Sequence, residues 1–235
     1  SIMLGADLIK SGRCDVVVAG GSECLTRYHL NGFNSLKILD SEPCRPFDAT
    51  RNGLNLGEGA GFVVLESEEH ALNRGVAPIG ALDGYGNACD AFHQTASSDD
   101  GEGAFLAMSK ALNMSGLKPG DIDYVNAHGT ATPNNDASES RAMIRLFGDK
   151  IPPVSSTKAF TGHTTSAAGS IEAVICLLAI RHGFIPANLN WKEPFDGGVV
   201  PDAEGHQGVQ LDHVLCNSFG FGGNDSSLLI SRYGK

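Results

Sequence analysis

The sequence lacks the features that mark several classes of function. It has no run of basic residues, and its 235 residues carry a formal net charge of −10. Because nucleic-acid binding needs clustered Lys and Arg, we expect no nucleic-acid partner. The longest apolar run, residues 173–180, is too short to cross a bilayer, and residues 1–10 lack the charged-then-apolar layout of a signal peptide. We therefore expect a cytoplasmic protein with no membrane partner.

Closely spaced cysteine pairs are also absent. The six cysteines lie at irregular spacings without a Cys-x-x-Cys pair, which disfavours zinc sites and a disulfide framework. We expect reduced thiols and no metal. Cys14 and Cys216 lie in or beside predicted strands, where a free cysteine packs as a small apolar residue. Cys24, Cys44 and Cys89 lie in loop-like regions, without a helix N-terminus to activate a thiol.

Glycine is abundant instead, and strands alternate with helices. The chain has 30 glycines and 41% apolar residues, as expected for a globular protein with many tight turns. The alternation predicts an α/β fold. Residues 166–182 are apolar nearly all round, which predicts a fully buried helix, whereas residues 22–56 are predicted to be irregular. The predicted strands are residues 15–21, 57–67, 79–86, 123–129, 213–225 and 227–233, and the predicted helices are residues 2–11, 69–73, 103–114, 139–147 and 166–182.

The chain contains an apparent internal repeat. DVVVAGGSE, from Asp15, and DYVNAHGTA, from Asp123, share the pattern D-x-V-x-A-x-G-[ST]. GEGAGFVVLES, from Gly57, and GFGGNDSSLLIS, from Gly220, share a glycine turn followed by an apolar strand. The repeat predicts two related halves, of which the first is short.

Three segments contain candidate catalytic residues. His128 ends an apolar strand in NAHGTATPNND, where a core histidine and a catalyst are equally good interpretations. Lys158 and His163 precede the long apolar segment, and an ionisable pair near buried surface is costly unless it has partners or a task. NSFGFGGND is typical of a tight hairpin turn. A phosphate-binding loop is disfavoured there, because neither GxxxxGK[ST] nor a GxGxxG between strand and helix occurs.

Together these segments resemble the motifs of β-ketoacyl-acyl-carrier-protein synthases, the condensing enzymes of fatty-acid synthesis, and are most similar to the type II elongating enzymes. The matching stretches follow the family's order along the whole chain. They are AGGSE, PFDATRNGLNLGEGAGFVVLE, VNAHGTATPNND, SSTKAFTGHTTSAAGSIEA and CNSFGFGGND. The resemblance implies the thiolase-like fold of two βαβαβαββ halves, here an incomplete first half over residues 1–76 and a complete second half over residues 77–235.

The resemblance also implies a reaction, the decarboxylative Claisen condensation of an acyltransferase. A cysteine thiolate takes an acyl chain from a carrier protein, malonyl-carrier protein loses CO₂, and the resulting carbanion attacks the acyl-enzyme. No cofactor is implied beyond the phosphopantetheine that carries the substrates. His128 and His163 match the family's two histidines, which as neutral donors would stabilise the enolate. Lys158 matches the lysine that supports them.

Further roles are implied at positions that match the same motifs. Glu172 is expected to be the ion partner of Lys158. The remaining matches are Thr130 and Thr132 for binding pantetheine, Asp136 and Glu139 for acidic positions behind the histidines, Phe221 and the neighbouring Phe219 for the oxyanion hole and gate, and, more weakly, Phe33 for the acyl pocket.

The sequence departs from the family at three places. The nucleophilic cysteine would lie about six residues before Ser1, on preceding turns of the same helix, so the chain alone is expected to lack condensing activity. Asn224-Asp225 replaces the usual Thr-Asn after GFGG, which changes hydrogen bonding at the gating loop. Residues 164–166, Thr-Thr-Ser, replace apolar and glycine residues common after the second histidine, which predicts a changed pocket.

Two alternatives stay open beside the fatty-acid enzyme. One is a non-catalytic homologue that pairs with an active synthase or sets chain length, although such proteins are freer to lose both histidines. The other is a ketosynthase of a polyketide or other secondary pathway. The resemblance implies the acyl carrier protein as partner and a homodimer for intact relatives. Because the carrier protein is acidic, Arg27, Lys37 and Arg45 are candidates for its docking patch, with ordinary surface charge as the other interpretation.

Overall fold

The computed structural model of the chain describes residues 1–234, which form a mixed α/β structure with two main sheets. The helices and strands alternate, as the sequence predicts. The helices are α1 (Ile2–Lys10), α2 (Arg27–Ser35), α3 (Glu68–Asn73), α4 (Glu102–Ser115), α5 (Pro133–Phe147), α6 (Lys158–Thr161) and α7 (Ala168–His182). The strands are β1 (Val16–Glu23), β2 (Gly59–Glu66), β3 (Gly80–Cys89), β4 (Tyr124–Asn126), β5 (Val154–Ser155), β6 (Phe184–Ile185), β7 (His206–Gln207), β8 (His213–Gly220) and β9 (Asn224–Arg232).

The larger sheet has five strands in the order β3-β9-β8-β4-β5. β8 pairs antiparallel with β9 and parallel with β4, which in turn pairs parallel with β5. The carboxyl ends of β4, β5 and β8 therefore meet at one edge of the sheet, where ligand sites of parallel sheets lie. β1 and β2 form a separate antiparallel pair, and so do the short strands β6 and β7.

The strand pairing changes one half of the predicted repeat. β1 pairs antiparallel with β2 just as β8 pairs antiparallel with β9, so the structural counterpart of β1 is β8. The sequence pattern had instead matched β1 with β4, which runs parallel to both of its neighbours. That match was wrong because an apolar strand followed by glycine has the same short pattern in either position. The match of β2 with β9 agrees with the pairing.

Helices pack on both faces of the larger sheet. On one face, α4 and α5 enclose an apolar core that includes Met108, Met143 and Leu215. α4 lies so close to β3 that a Cβ on Gly84 would overlap the carbonyl oxygen of Ala111. On the other face, α7 packs against β8 and β9 and also against β1 and β2, so it lies between the two sheets.

α1 shares the layer between the sheets with α7. Ile2 of α1 belongs to the same buried cluster as Ala19 of β1 and Ala173 of α7. The hydroxyl of Tyr85, on β3, donates a hydrogen bond to the carboxylate of Asp7 and so joins α1 to the larger sheet.

Three expectations about the helices need correction. Residues 27–35 form α2 and are not irregular; the Thr26 hydroxyl caps the helix by accepting a hydrogen bond from the His29 N–H. α5 begins at Pro133, six residues earlier than predicted, because Pro fits the first helical position. α7 is not buried all round, since Leu178 is 41% exposed while Cys176 on another face is fully buried.

Candidate active site

Two histidines from different loops meet at one cavity. His128 follows β4, and His163 lies between α6 and α7. Their ring centroids are 5.3 Å apart, and the ring planes are nearly perpendicular at 83°. Both side chains line a cavity of about 740 Å³ at the carboxyl edge of the parallel strands. The structure therefore brings together the two imidazoles that the sequence had singled out separately.

Both imidazoles are neutral near neutral pH. Burial, together with the nearby Lys158 ammonium and the other ring, lowers the pKa of His128 well below its ordinary value. Burial and Lys158 lower the pKa of His163 to about 3. A base in a poorly solvated site beside a fixed positive charge resists a second charge. Each ring can therefore act as a neutral hydrogen-bond donor.

The hydrogen bonds at Nδ1 fix the tautomer of each ring. Lys158 Nζ lies 3.3 Å from His128 Nδ1, and because an ammonium only donates, Nδ1 must accept. The backbone N–H of Thr165 donates to His163 Nδ1 at 3.2 Å. In both residues the proton consequently resides on Nε2, the nitrogen left for a ligand.

Lys158 is held below His128 by an ion pair. Its ammonium donates to Glu172 Oε1 and to the carbonyl oxygen of His128, and the side chains of Lys158 and Glu172 are only 2% and 3% exposed. The expected ion pair is therefore present. Burial raises the pKa of Glu172, and the adjacent ammonium opposes this effect. Lys158 does not line the cavity, so its contacts support the histidine.

Two buried carboxylates fix the loop that carries His128. Glu139 accepts the backbone N–H groups of His128 at 2.9 Å and Gly129 at 2.8 Å. Burial raises the pKa of Glu139 to about 7, while these N–H donors act in the opposite direction. Asp136 accepts the N–H of Ala131 at 3.2 Å, which holds that residue at a φ of 66°. Both residues lie behind the cavity, as expected for supporting positions.

The other predicted site residues lie around the same cavity. The Thr130 and Thr132 hydroxyls are 2.8 Å apart and are joined by a hydrogen bond. Phe219 packs against His128 with a centroid distance of 5.8 Å. Phe221 is 49% exposed on the turn between β8 and β9, and its ring lies 6.0 Å from that of Phe33. All five side chains line the cavity.

Several residues at the cavity were not found by sequence reasoning. The first turn of α1 lines it with Ser1, Ile2 and Met3. Thr165 lies in the Thr-Thr-Ser segment that was predicted to change the pocket, and it does line the cavity. Its hydroxyl donates to the Glu23 carboxylate, a contact that neither this segment nor the glutamate ending AGGSE had indicated.

Three of the six cysteines, Cys44, Cys176 and Cys216, are buried like packing residues. Cys14 is partly buried, and Cys24 and Cys89 are exposed. Cys216 lines the cavity, but a hydrogen bond with Cys176 and burial raise the pKa of its thiol well above the ordinary value. A nucleophilic cysteine needs the opposite shift, toward the thiolate. Residues 1–234 contain no group of three or more His, Cys, Asp or Glu placed to hold a metal, and none of their helices is long and apolar enough to cross a membrane.

Comparisons with known proteins give consistent matches along the chain. The family model "Beta-ketoacyl synthase, N-terminal domain" matches residues 1–71, and "Beta-ketoacyl synthase, C-terminal domain" matches residues 79–192. A mitochondrial 3-oxoacyl-[acyl-carrier-protein] synthase of Arabidopsis thaliana is 43% identical over 95% of this chain and 52% of that protein. 3-oxoacyl-[acyl-carrier-protein] synthase 2 of Rhizobium meliloti (strain 1021) is 44% identical over 96% of this chain and 56% of that protein. The chain thus spans about half the length of the curated relatives it matches.

Solved structures show the same relation at the level of the fold. The ishigamide ketosynthase/chain length factor superimposes with a TM-score of 0.94 at 38% identity, over 100% of this chain and 58% of that chain. AntDE:AntF, a type II acyl carrier protein in complex with its ketosynthase, gives a TM-score of 0.92 at 30% identity, over 98% of this chain and 59% of that chain. The fold is therefore the thiolase-like fold of ketosynthases.

Proposed function

Since this chain belongs to the β-ketoacyl synthase family, we propose that it forms the histidine-bearing part of a 3-oxoacyl-carrier-protein synthase. The whole protein would be an acyltransferase of fatty-acid synthesis that joins an acyl group to malonyl-carrier protein with loss of CO₂. The observation that carries the proposal is the pair of neutral imidazoles at one cavity, each with its proton on Nε2.

Two such donors suit the chemistry of decarboxylation. When the malonyl thioester loses CO₂, negative charge develops on the thioester oxygen, and His128 and His163 would donate Nε2–H bonds to it. Donors that are already oriented stabilise the enolate without rearrangement, and a neutral ring keeps its proton during the step. Lys158 would orient His128 through Nδ1, and the ion pair with Glu172 would hold the lysine side chain in place.

The acyl group would be carried by a cysteine of the whole protein. The resemblance implies a position about six residues before Ser1 for that cysteine, and the lining of the cavity by Ser1, Ile2 and Met3 supports this proposal. Thr130 and Thr132 would bind the pantetheine arm, and Phe219 and Phe221 would gate the acyl pocket. The inactivity of the chain alone stays a prediction, as does the division into halves at residues 76 and 77.

The proposed partner is an acyl carrier protein, which is named in the ketosynthase complex among the structural neighbours. Arg27 and Lys37 are exposed and support an acidic partner, but Arg45 is a poorer candidate because its guanidinium pairs with Asp40 at 3.1 Å. We further propose a homodimer for the intact protein and the cytoplasm as its compartment. Two of the curated relatives are mitochondrial by name, so a tagged full-length protein should be located directly.

A polyketide ketosynthase is the second candidate. Structural neighbours with TM-scores of 0.94 and 0.92 are a ketosynthase/chain length factor and a type II polyketide ketosynthase. The retained histidines and the Lys158–Glu172 pair favour an active subunit over a non-catalytic partner. Profiling condensation with acyl and polyketide primers would separate the two active candidates.

Decarboxylation of malonyl-carrier protein by the full-length protein tests the shared step. His128→Ala and His163→Ala should each lower the rate by about 10²-fold or more, the usual effect of removing an oxyanion donor. His206→Ala is the matched control, because His206 is an exposed residue on β7. Retained activity in both cavity variants would refute the assigned roles.

A further inference from the structure

Glu23, the last residue of β1, binds the turn that follows His163. The hydroxyl of Thr165 donates to Glu23 Oε2, and the same oxygen accepts the Ser166 hydroxyl at 2.9 Å and the Ser166 N–H at 3.3 Å. Glu23 Oε1 accepts the N–H of Cys24 at 3.0 Å. One carboxylate therefore receives three hydrogen bonds from two successive residues of a segment more than 140 positions away.

The turn is conformationally strained where it meets His163. Thr165 has a φ of 33°, in the left-handed region that β-branched residues avoid. Such a conformation persists only when surrounding contacts hold it. The backbone N–H of this same residue donates to His163 Nδ1 at 3.2 Å. The bonds to Glu23 thus hold the residue that fixes the tautomer of His163.

A second contact brings β1 against this turn. A Cβ on Gly21 would overlap the carbonyl oxygen of Ser166, so only glycine permits this approach. Gly21 and Glu23 point to the same face of β1, because side chains alternate along a strand. The end of β1 is therefore shaped to receive residues 165–166, and the glutamate is the charged group at that contact.

The carboxylate is ionised and has a defined electrostatic effect. The Thr165 hydroxyl and the Ser166 donors lower the pKa of Glu23 to about 2, against the effect of burial. His29 Nδ1 lies 3.2 Å from Glu23 Oε1 on the side away from the turn. The negative charge of Glu23 acts to raise the pKa of His163, against burial and Lys158.

We propose that Glu23 is a positioning residue for His163: through Thr165 and Ser166 its carboxylate keeps the Thr165 N–H on Nδ1 and hence the proton on Nε2. The two hydroxyls lie within residues 164–166, where the resemblance implies apolar and glycine residues in the family. The tautomer is a property of the chain itself, and only its catalytic consequence rests on the proposed function.

Four variants separate positioning from general stabilisation. Glu23→Ala removes the acceptor, whereas Glu23→Gln retains one oxygen acceptor without the charge. Thr165→Val removes the hydroxyl but keeps the β-branched shape. Glu58→Ala is the matched control, because Glu58 also accepts a backbone N–H near the end of β1, that of Leu25 at 3.1 Å, but has no bond to the turn.

The direct readout is the tautomer of His163 in ¹⁵N-histidine-labelled protein, with its signals assigned by their loss in His163→Gln. Wild type should show one tautomer with Nδ1 unprotonated. Glu23→Ala and Thr165→Val should raise the Nδ1-protonated fraction at least threefold, Glu23→Gln should lie between, and Glu58→Ala should match wild type. An unchanged His163 pattern in a folded Glu23→Ala or Thr165→Val protein overturns the proposal. If Glu23→Ala does not fold, Thr165→Val decides.

The kinetic readout uses the full-length protein. For malonyl decarboxylation, Glu23→Ala should lower kcat by about 10-fold with KM nearly unchanged, and Glu23→Gln should recover part of it, because donor orientation affects the transition state more than binding. A tautomer shift in a protein whose wild type does not decarboxylate would support the positioning role and refute the proposed function. An equal loss of kcat in Glu23→Gln and Glu23→Ala without a shift in the His163 tautomer would refute the positioning role of Glu23.

Discussion

The ion pair of Lys158 and Glu172 sets the electrostatics of the histidine site. Its side chains are nearly fully buried, and the ammonium also contacts both the ring and the carbonyl group of His128. A buried pair of this kind gains little net stability over an apolar pair, but loss of one partner leaves a charge without compensation. The pair therefore has its main effect on the position and the protonation of His128.

Breaking this pair should destabilise the protein strongly. Glu172→Gln should lower the free energy of unfolding by about 3 kcal/mol, because Lys158 is left charged and buried. Urea unfolding followed by circular dichroism measures the change. Glu102→Gln is the control: Glu102 pairs with Arg145 at 2.8 Å, but its side chain is 42% exposed, so its loss should cost less than about 1 kcal/mol. Equal effects in the two variants would contradict this account.

The depressed pKa of His163 predicts how stability depends on pH. In the folded protein the His163 ring stays neutral until the pH falls to its pKa of about 3. In the unfolded chain the ring takes up a proton below its ordinary pKa of about 6.5. The contribution of the neutral ring to the free energy of unfolding is therefore present above pH 6.5 and is lost as pH falls toward 3. Between pH 7 and pH 5, wild type should lose about 2 kcal/mol more unfolding free energy than His163→Gln. The same two proteins compared at pH 7 and pH 8 should show no such change.

At the scale of elements, the carboxylate of Asp225 is buried beside the turn between β8 and β9, where the charge of Asp90 acts on it. Asp225, near the start of β9, has an Oδ1 atom that is buried without a hydrogen-bond partner. Burial, followed by the charges of Asp90 and Glu139, raises the pKa of Asp225 to about 7. The pKa of Asp225 in the folded state lies above the unfolded value of about 3.9. The stability contributed by its neutral carboxyl is therefore fully present below pH 4 and is lost as pH rises to 7.

Asp225→Asn should therefore stabilise the protein mainly at high pH. The gain in unfolding free energy over wild type should increase by roughly 1–2 kcal/mol between pH 5 and pH 8. Denaturant unfolding at the two pH values measures it. Asp83→Asn, at an exposed position of β3, is the control for the loss of one negative charge. A gain that is the same at both pH values would exclude ionisation of Asp225 as its cause.

The contact between α4 and β3 gives a second prediction for an element. Gly84→Ala would place a Cβ against the carbonyl oxygen of Ala111, so α4 must move away from the sheet. We expect a loss of about 2 kcal/mol, as for other overpacking changes. Gly120→Ala is the matched control, because a Cβ there meets no atom within 4 Å and φ is not positive. Similar thermal denaturation of both variants would contradict the close packing.

The elements that could be predicted from the sequence have an apolar face, and the helix that was missed does not bury one. β1, β2 and α4 have apolar or β-branched runs that bury one side, and their positions were predicted within a few residues. α2 buries no residue and therefore has no such pattern; its only signal was the capping Thr26. At the site, family motifs identified His128 and His163, but the contact of Glu23 with Thr165 joins positions that share no local pattern.

At the scale of the whole molecule, one face of the β1–β2 pair is open. Val16 and Val18 of β1 and Phe62 and Val64 of β2 are between 43% and 67% exposed. The opposite face packs Val17, Val63 and Leu65 against the layer of α1 and α7. An exposed apolar strand face of this kind promotes association between molecules. We expect residues 1–235 to self-associate in a concentration-dependent way.

Replacing one cross-strand pair on the open face should reduce that association without loss of stability. Val18 and Val64 are direct partners in the β1–β2 register, and Val18→Thr with Val64→Thr keeps their shape while making the face polar. Light scattering over a range of protein concentrations should show less association than in wild type, with the unfolding free energy changed by less than about 1 kcal/mol. Val17→Thr, on the packed face, should instead destabilise the fold by about 1–2 kcal/mol and leave association unrelieved, because its hydroxyl enters the core. Unchanged scattering in the double variant would mean that another surface drives association.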